Sequence, residues 1–234
     1  MNYRHAFHAG NFADVFKHGI LIGLLDALKA KPAPFCYFDT HAGRGLYDLH
    51  DEQAQKTGEY LDGVQRIVDA SGLPDALATY VDLVRSFNTG TRALERYPGS
   101  PMIASRLLRE CDRAILCEVQ EDEVTALKAN LRGDRRFAIH YRDGYEALKA
   151  LLPPAQKRGL VLIDPPFEAQ AIEYVHIGNA LADAFALWPS AIYAIWYPIK
   201  LRENVIPFQR WLRDHCGTSD VLAAEILLRP DNSP

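Results

Sequence analysis

The sequence of 234 residues lacks the features of several classes of protein. No apolar run approaches the roughly 18 residues of a membrane span, and the first residues lack the charged-then-apolar pattern of a signal peptide. The four cysteines show no Cys-x-x-Cys spacing, and no Cys/His pattern of metal ligands appears. We therefore expect a cytoplasmic protein with reduced thiols, no membrane contact and no bound metal.

Positive charge is also scarce, since 26 lysine and arginine residues stand against 30 acidic residues and leave a net charge of −4. This balance argues against a protein that coats nucleic acid through bulk charge, but it is compatible with a local basic groove for a few nucleotides. Basic residues cluster between Arg132 and Arg142 and at Lys157-Arg158. Each of them by itself is best explained as part of a solvated helix end or turn.

Strand and helix patterns alternate along most of the chain. The first helix is predicted from about Ala13 to Ala30, with Asn11 as its N-cap and Asp14 in the position of a capping-box acid. A buried strand follows at 35–38. After a mainly helical region at 46–110, strands are predicted at 113–117, 137–141, 159–163, 191–196 and 220–228, and helices at 120–131, 144–151, 169–186 and 201–215. This alternation predicts an α/β fold with a doubly wound, mostly parallel sheet.

The helical region divides the chain into three predicted parts. Residues 1–45 form an N-terminal arm, the first helix, the first strand and a glycine-rich turn, 46–110 form an inserted helical subdomain, and 111–234 complete the sheet. Candidate helices in the insert run over 59–70 and 74–88. Another helix is expected to start with Ser100 as N-cap and Pro101 as its first residue.

Acidic residues and glycines follow the predicted strands. Asp39 ends the first strand and precedes Thr40-His41-Ala42-Gly43-Arg44-Gly45, a turn that lacks the full Gly-x-Gly-x-x-Gly pattern of dinucleotide-binding proteins. Glu118 ends the next core strand, where an acid commonly binds a ribose diol, although a charge favoured by a helix N-terminus is the simpler alternative. Asp143-Gly144 ends the third strand and is explained equally well by adenine recognition or by an ordinary Asp-Gly turn.

The segment Asp164-Pro165-Pro166-Phe167 carries the most specific chemistry, because it directly follows the apolar strand 159–163. The Asp164 carboxylate and the Pro165 carbonyl can accept the two N–H groups of an exocyclic amine and favour the charge that it gains during methylation. The Phe167 ring can stack on a nucleobase. The alternative is a strand-end turn with a core phenylalanine.

These motifs resemble the Rossmann-type S-adenosylmethionine-dependent methyltransferases. More specifically, the chain from Tyr3 to about Arg229 resembles the bacterial 23S rRNA adenine-N6 methyltransferase family. The segments that carry this resemblance are Tyr3-Arg4-His5-x-Phe7-His8-Ala9-Gly10-Asn11, Lys17-His18, Thr57-Gly58-Glu59-Tyr60, Tyr97-Pro98-Gly99-Ser100-Pro101 and Trp196-Tyr197-Pro198. The resemblance implies methylation of N6 of an adenine in 23S ribosomal RNA, free or partly assembled, by an enzyme that we expect to be a monomer.

The resemblance also implies residue roles. Asp164 matches the catalytic acid, and Tyr3 matches an N-terminal aromatic residue that contacts the RNA. Together with Pro165 and Phe167 of the motif, Tyr3 forms the expected substrate-binding set. The residues that match cofactor-binding positions for S-adenosyl-L-methionine are His18, His41, Ser100, Glu118, Asp143, Gly144 and Asp164. From the residues alone, His18 would be a helix-surface or core histidine and Ser100 only an N-cap. The family continues past the position of Pro234 with a last strand, so we expect the sheet of this chain to lack that strand.

Three other functions stay open at this point. An adenine methyltransferase of DNA would share the Asp-Pro-Pro-Phe chemistry, but no separate basic recognition domain is visible in the sequence. A non-catalytic RNA-binding or assembly protein could retain the same pocket. An NAD-dependent oxidoreductase is disfavoured by the incomplete glycine pattern.

Overall fold

The computed structural model describes residues 3–90, 93–215 and 221–226, apart from the side chain of Ala76. The chain divides into two compact units, Met1–Pro198 and Ile199–Pro234. The first unit holds all seven strands that the described residues form. The elements are α1 (Phe12–Lys29), β1 (Cys36–Asp39), β2 (Leu46–Asp48), α2 (Glu52–Thr57), α3 (Arg66–Val68), α4 (Asp75–Ser86), β3 (Arg96–Pro98), α5 (Ser100–Leu107), β4 (Arg113–Glu118), α6 (Glu121–Asn130), β5 (Phe137–Tyr141), α7 (Gly144–Leu151), β6 (Gly159–Ile163), α8 (Gln170–Leu187), β7 (Ala191–Ile195) and α9 (Arg202–His215).

Five strands form a parallel sheet in the order β5-β4-β1-β6-β7, which confirms the predicted α/β class. The central strands β1 and β6 are buried along their whole length, as expected for apolar strands that are covered on both faces. After β1, the chain first adds β4 and β5 on one side of β1. It then crosses over and adds β6 and β7 on the other side. The carboxyl ends of β1, β4 and β6 therefore meet at the change of strand order, which is where α/β proteins generally bind ligands.

The long helix α1 begins as the sequence predicts. The Asn11 side chain accepts a hydrogen bond of 3.0 Å from the backbone N–H of Asp14 and caps the helix. The Asp14 carboxylate does not complete a capping box with Asn11. It accepts instead from the N–H of Gly10 at 2.9 Å, and it is buried together with His18 on the inner side of the helix.

The insert is less uniformly helical than predicted. Strands β2 and β3 form an antiparallel ribbon in which Tyr47 pairs with Tyr97, and both tyrosines are buried. Three-residue strands are too short to show a period of two, so the sequence pattern could not reveal them. The predicted helix 59–70 is also interrupted, because Gly63 has non-helical dihedral angles inside a π-helical segment, Leu61–Gln65, that precedes α3.

Two further predictions need correction. Gly99, and not Ser100, is the N-cap of α5, because the Ser100 hydroxyl turns away from the helix and donates to Asp39 at 2.6 Å. In the second unit, residues 221–226 of the predicted strand 220–228 form neither a strand nor a helix, and the rest of that strand lies outside the described residues. The Glu225 carboxylate there accepts a hydrogen bond of 2.6 Å from Arg202 of α9.

Candidate active site

The glycine-rich turn 40–45 bridges the ends of two strands that flank β1. The Thr40 N–H and hydroxyl both donate to the Leu162 carbonyl of β6, at 3.1 Å and 3.0 Å, and the Ala42 N–H donates to the Cys117 carbonyl of β4 at 2.9 Å. Gly43 has a φ of +60°, and a Cβ there would lie 2.3 Å from the Tyr47 hydroxyl oxygen. The turn is therefore fixed in a conformation that glycine alone fits well at this position.

Asp39 anchors the start of this turn. Its carboxylate accepts hydrogen bonds from the Tyr37 hydroxyl at 2.7 Å, the Ser100 hydroxyl at 2.6 Å and the His41 N–H at 3.2 Å. Burial raises the pKa of Asp39 to about 6, although the hydroxyl donors act to lower it. The structure thus joins Ser100, at the start of α5, to the turn through Asp39.

Glu118 holds the turn from the side of β4. One oxygen accepts from the Gly43 N–H at 2.9 Å, and the other accepts from the N–H groups of Val119 and Gln120 at 2.7 Å and 2.8 Å. Burial raises the Glu118 pKa, while these three donors act in the opposite direction. The carboxylate lies beside the start of α6, as the simpler interpretation predicted. It also contacts the glycine-rich turn through Gly43.

Asp143 and Gly144 lie at the start of α7. One Asp143 oxygen accepts from the N–H groups of Tyr145 and Glu146 at 2.9 Å and 3.0 Å, which makes Asp143 the N-cap of the helix. A Cβ at Gly144 would lie 2.1 Å from the Thr40 carbonyl oxygen, so a glycine is needed where α7 meets the turn. Each residue thus has a structural role, and neither role excludes contact with a ligand.

The His41 ring lies between the turn and α7. Its Nδ1 is 2.8 Å from the Thr40 hydroxyl, and its ring meets the Tyr145 ring edge-on at 5.3 Å between centroids. Burial lowers the pKa of His41 to about 4, although the charges of Asp164 and Asp143 act to raise it. His41 is therefore a neutral imidazole at physiological pH.

The Asp164 side chain, just past the end of β6, pairs with Lys17 of α1. The Lys17 ammonium also lies 3.0 Å from an oxygen of Asp14, and only 9% of the Lys17 side chain is exposed. Burial works against the charged form of Lys17, but the two carboxylates prevail and raise its pKa. Sequence analysis gave Lys17 and Asp14 no role in the site. The only signal was their spacing of three residues, which allows an ion pair on a helix.

The N-terminal arm, residues 3–11, extends this polar chain. His5 Nε2 is 3.0 Å from Asp14, and His5 Nδ1 is 2.9 Å from the Tyr3 hydroxyl. The Tyr3 backbone N–H donates to Glu168 at 2.8 Å, which places Tyr3 beside the loop that follows Asp164. Burial, followed by the charge of Asp164, raises the Tyr3 pKa. The structure therefore places Tyr3 near Asp164, and it adds His5, which sequence analysis did not identify.

Two other residues of the predicted site have different surroundings. His18 is buried in the first unit, and its Nδ1 lies 2.7 Å from the Tyr97 hydroxyl of β3. Burial lowers the His18 pKa to about 3, so the ring is neutral. Phe167 is partly buried and meets Tyr174 of α8 edge-on at 5.7 Å between ring centroids, while Pro165 is buried.

Metal-binding clusters and membrane-spanning helices are both absent from the residues that the structure describes. Among them, no three or more His, Cys, Asp or Glu side chains are grouped so that they could hold a metal ion. Within the same part of the chain, no helix is both long and apolar enough to cross a membrane.

A parallel sheet with a glycine-rich turn after β1, an acid at the end of β4 and Asp-Pro-Pro-Phe after β6 defines the class of Rossmann-like methyltransferases. Within that class, the model of the family described as ribosomal RNA large subunit methyltransferase D, RlmJ, matches residues 32–234, and the chain belongs to this family.

Similar proteins extend this match to the N-terminal arm. The ribosomal RNA large subunit methyltransferase J of Escherichia coli K12 is 41% identical over 234 residues, which cover 99% of this chain and 82% of that protein. The protein of the same name from Haemophilus influenzae is 40% identical over 232 residues, with the same coverage of both chains. A crystal structure of the Legionella pneumophila protein LPL1258 superposes with a TM-score of 0.82 at 37% identity, and the match covers 89% of this chain and 76% of that one.

Proposed function

We propose that this chain transfers a methyl group from S-adenosyl-L-methionine to N6 of an adenine in 23S ribosomal RNA. The observation that carries the proposal is Asp164-Pro165-Pro166-Phe167 at the carboxyl end of β6, beside the glycine-rich turn. Both named relatives are ribosomal RNA large subunit methyltransferases, which supports RNA of the large subunit as the substrate. The enzyme acts in the cytoplasm as a monomer, on RNA that is free or partly assembled.

The polar groups around the turn fit such a cofactor in chemical type. Glu118 offers carboxylate oxygens to ribose hydroxyls, Asp143 offers an acceptor to the adenine amine, and the neutral His41 ring lies against Tyr145 of α7. The bound cofactor supplies an electrophilic methyl group on a sulfonium. Asp39 and Ser100 keep the turn in shape for it.

Glu118 provides a test of cofactor binding. Glu118→Ala should weaken binding of S-adenosyl-L-methionine by roughly 1–3 kcal/mol, because hydrogen-bonding groups are left without a partner. Isothermal calorimetry measures this directly. Tight binding of NADH together with no binding of S-adenosyl-L-methionine would contradict the proposed cofactor and revive the oxidoreductase alternative.

Asp164 carries the methyl-transfer step. Its carboxylate and the Pro165 carbonyl accept the two N–H groups of the target adenine, whose amine is otherwise a poor nucleophile, and Phe167 stacks on the base. The adenine must first leave its helical stack, because its amine is inaccessible in a duplex. Orientation of the amine toward the methyl group then supplies most of the rate.

Lys17 orients the Asp164 carboxylate without reversing the charge of the site. In their ionised forms, Asp14, Lys17 and Asp164 sum to a net charge of −1, because two carboxylates share one ammonium. A negative surrounding of this kind favours the positive charge that develops on the adenine nitrogen. Tyr3, which reaches the same place from the arm, is available to contact the base.

The deciding experiment measures transfer of tritiated methyl groups from S-adenosyl-L-methionine to deproteinised 23S rRNA that has not been methylated, followed by nucleoside mapping. We expect one N6-methyladenosine and no transfer to duplex DNA. Transfer to duplex DNA alone would support an adenine methyltransferase of DNA. Cofactor binding without transfer to either nucleic acid would support a non-catalytic RNA-binding protein.

A further inference from the structure

The start of the insert is built against the N-terminal arm. The Thr57 hydroxyl donates to the Phe7 carbonyl, and the Val64 N–H donates to the Gly10 carbonyl at 2.8 Å. A Cβ at Gly63 would lie 2.1 Å from the Gly10 oxygen, so this approach of two backbones requires a glycine. The proposed chemistry gives no role to this part of the insert, although Thr57-Gly58-Glu59-Tyr60 is one of the specific sequence motifs.

Glu59 forms the polar part of this contact. Both of its carboxylate oxygens lie 3.0 Å from Nδ1 of His8, and one of them also accepts from the Asn11 side-chain amide at 3.0 Å. Since Asn11 is the N-cap of α1, a single carboxylate ties the arm to the start of the helix that carries Lys17. The side chains of Glu59 and His8 are each 37% exposed, so water screens the pair in part.

The His8 ring connects Glu59 to the active site, because it stacks on the Tyr3 ring. The Tyr3 ring stacks on the His8 ring with a centroid distance of 5.5 Å and an interplanar angle of 10°. Glu59 binds Nδ1 of His8 through both carboxylate oxygens and thereby restricts rotation of the His8 ring about its side-chain bond. From Tyr3, the contacts continue through His5 to Asp14 and thus to the Lys17–Asp164 pair.

We propose that Glu59 is a positioning residue for methyl transfer, which acts by fixing the His8 ring and thereby the Tyr3 ring beside Asp164. The inference deepens the proposed function and rests on it for its kinetic consequence. The anchoring of the arm by Glu59 is a separate physical claim that can be measured without activity. Glu59 thus connects the insert to the catalytic loop through side chains of the arm.

Two readouts test the proposal on the full chain. The first is single-turnover methyl transfer together with the KM for RNA and the calorimetric affinity for S-adenosyl-L-methionine. The second is the rate at which trypsin cleaves after Arg4, followed by mass spectrometry, because Arg4 lies within the arm. Glu59→Ala should lower the transfer rate by about 5- to 30-fold, the range for a partly screened hydrogen bond to a charged group. It should accelerate cleavage after Arg4 and leave cofactor affinity and thermal midpoint close to parental values.

Conservative and control variants separate positioning from general stability. Glu59→Gln keeps an acceptor oxygen for His8 and should recover most of the rate. His8→Phe keeps a flat ring for Tyr3 but loses Glu59, so the double variant Glu59→Ala/His8→Phe should be no slower than the worse single variant. Glu52→Ala, which removes an exposed acid from the neighbouring helix α2, should match the parental protein in both readouts.

Several outcomes would overturn the proposal. Parental transfer and parental cleavage rates in Glu59→Ala would do so directly. A lowered thermal midpoint that explains the slower transfer, with no recovery in Glu59→Gln, would make Glu59 merely structural. If the parental protein transfers no methyl group, the proposed function fails, and equal cleavage of the parental protein and Glu59→Ala would then overturn the anchor as well.

Discussion

The two sides of the active site are held together by different interactions. On the strand-end side, Asp39, Glu118 and Asp143 accept hydrogen bonds from backbone N–H groups of the turn and of helix starts, and Asp39 also accepts from two hydroxyls. The arm side comprises the arm, the helix α1 and Asp164. There, Lys17 and Asp164 form a pair of opposite charges, although they are 147 residues apart in the chain. The first side is a frame in which carboxylates hold backbone N–H groups and hydroxyls, whereas the second is a chain of charged and polar side chains.

This difference separates the side that fixes the conformation of the site from the side that supplies its charge. A carboxylate that accepts several N–H bonds fixes the conformation of a loop and leaves limited capacity for a ligand. Buried charges that bond to one another are sensitive to each partner, because the loss of one leaves the other without compensation. We therefore expect substitutions on the arm side to have larger effects than substitutions on the strand-end side.

Lys17→Met should give the largest effect and the sharpest test of this contrast. It leaves the Asp14 and Asp164 carboxylates facing each other with little solvent, and it should lower the free energy of unfolding by about 3–5 kcal/mol. Lys29→Met is a matched control on the same helix, since Lys29 also pairs with an acid three residues away but lies at the surface. That control should change stability by less than about 1 kcal/mol. Urea unfolding of both variants measures these losses of unfolding free energy. Equal losses in Lys17→Met and Lys29→Met would contradict the proposed difference between the two sides.

Asp164→Ala should affect catalysis almost as strongly. Removal of both the negative charge and the acceptor for the amine should lower the single-turnover rate by about 10²–10³ at saturating RNA and cofactor. Asp164→Asn keeps an acceptor oxygen and should retain more activity. Circular dichroism checks that the fold persists, as expected for a residue at a strand end. Parental rates in Asp164→Ala would reduce the motif to a structural turn.

The contrast also explains which parts of the molecule could be predicted from the sequence. Helices α7 and α1 and strand β6 follow from local patterns of apolar residues and caps, and the structure places them at or within a residue of the predicted bounds. Strands β2 and β3 have only three residues each, and their pairing depends on tyrosines that are 50 residues apart in the chain. No local pattern contains that information.

The same reasoning applies to the site. Asp39, Glu118 and Asp164 each follow an apolar run, so their position at one edge of a parallel sheet could be predicted. The roles of Lys17 and His5 depend on how the arm and α1 pack against the sheet, and helical spacing alone does not reveal such packing. Ser100 was predicted as an N-cap because its residue type fits one, but the buried Asp39 offers its hydroxyl a stronger partner.

A pH titration should sharpen the contrast on the strand-end side. Burial raises the pKa of Asp39 from its ordinary value of 3.8 to about 6, so the folded protein holds this proton more tightly than the unfolded chain. The contribution of Asp39 to stability is therefore complete below about pH 4 and is lost as the pH rises through about 6. The unfolding free energy of the parental protein, minus that of Asp39→Asn, should fall by about 3 kcal/mol across this window.

The subtraction is necessary because titration of His41 makes the unfolding free energy rise with pH, whereas titration of Asp39 makes it fall. Burial lowers its pKa to about 4, so its contribution is present above its ordinary value of 6.5 and is lost as the pH falls toward 4. His41 is present in both proteins, so its effect cancels in the difference. Urea unfolding at several pH values gives the curve, and a difference that does not change with pH would contradict the raised pKa of Asp39.

The smallest effect is expected at Asp143, where capping of a helix and recognition of a ligand can be separated. Asp143→Ala removes the acceptor for the N–H groups of Tyr145 and Glu146 and should cost about 1 kcal/mol of stability. Asp143→Ser keeps a capping oxygen and should restore most of that stability. A serine at the N-cap cannot also present the second carboxylate oxygen to the adenine amine, so both variants should bind S-adenosyl-L-methionine more weakly than the parental protein, by about 1 kcal/mol. Urea unfolding and calorimetry on the same preparations separate the two roles. If Asp143→Ser recovered cofactor affinity together with stability, Asp143 would be a helix cap alone, and the frame of the strand-end side would bind the cofactor without it.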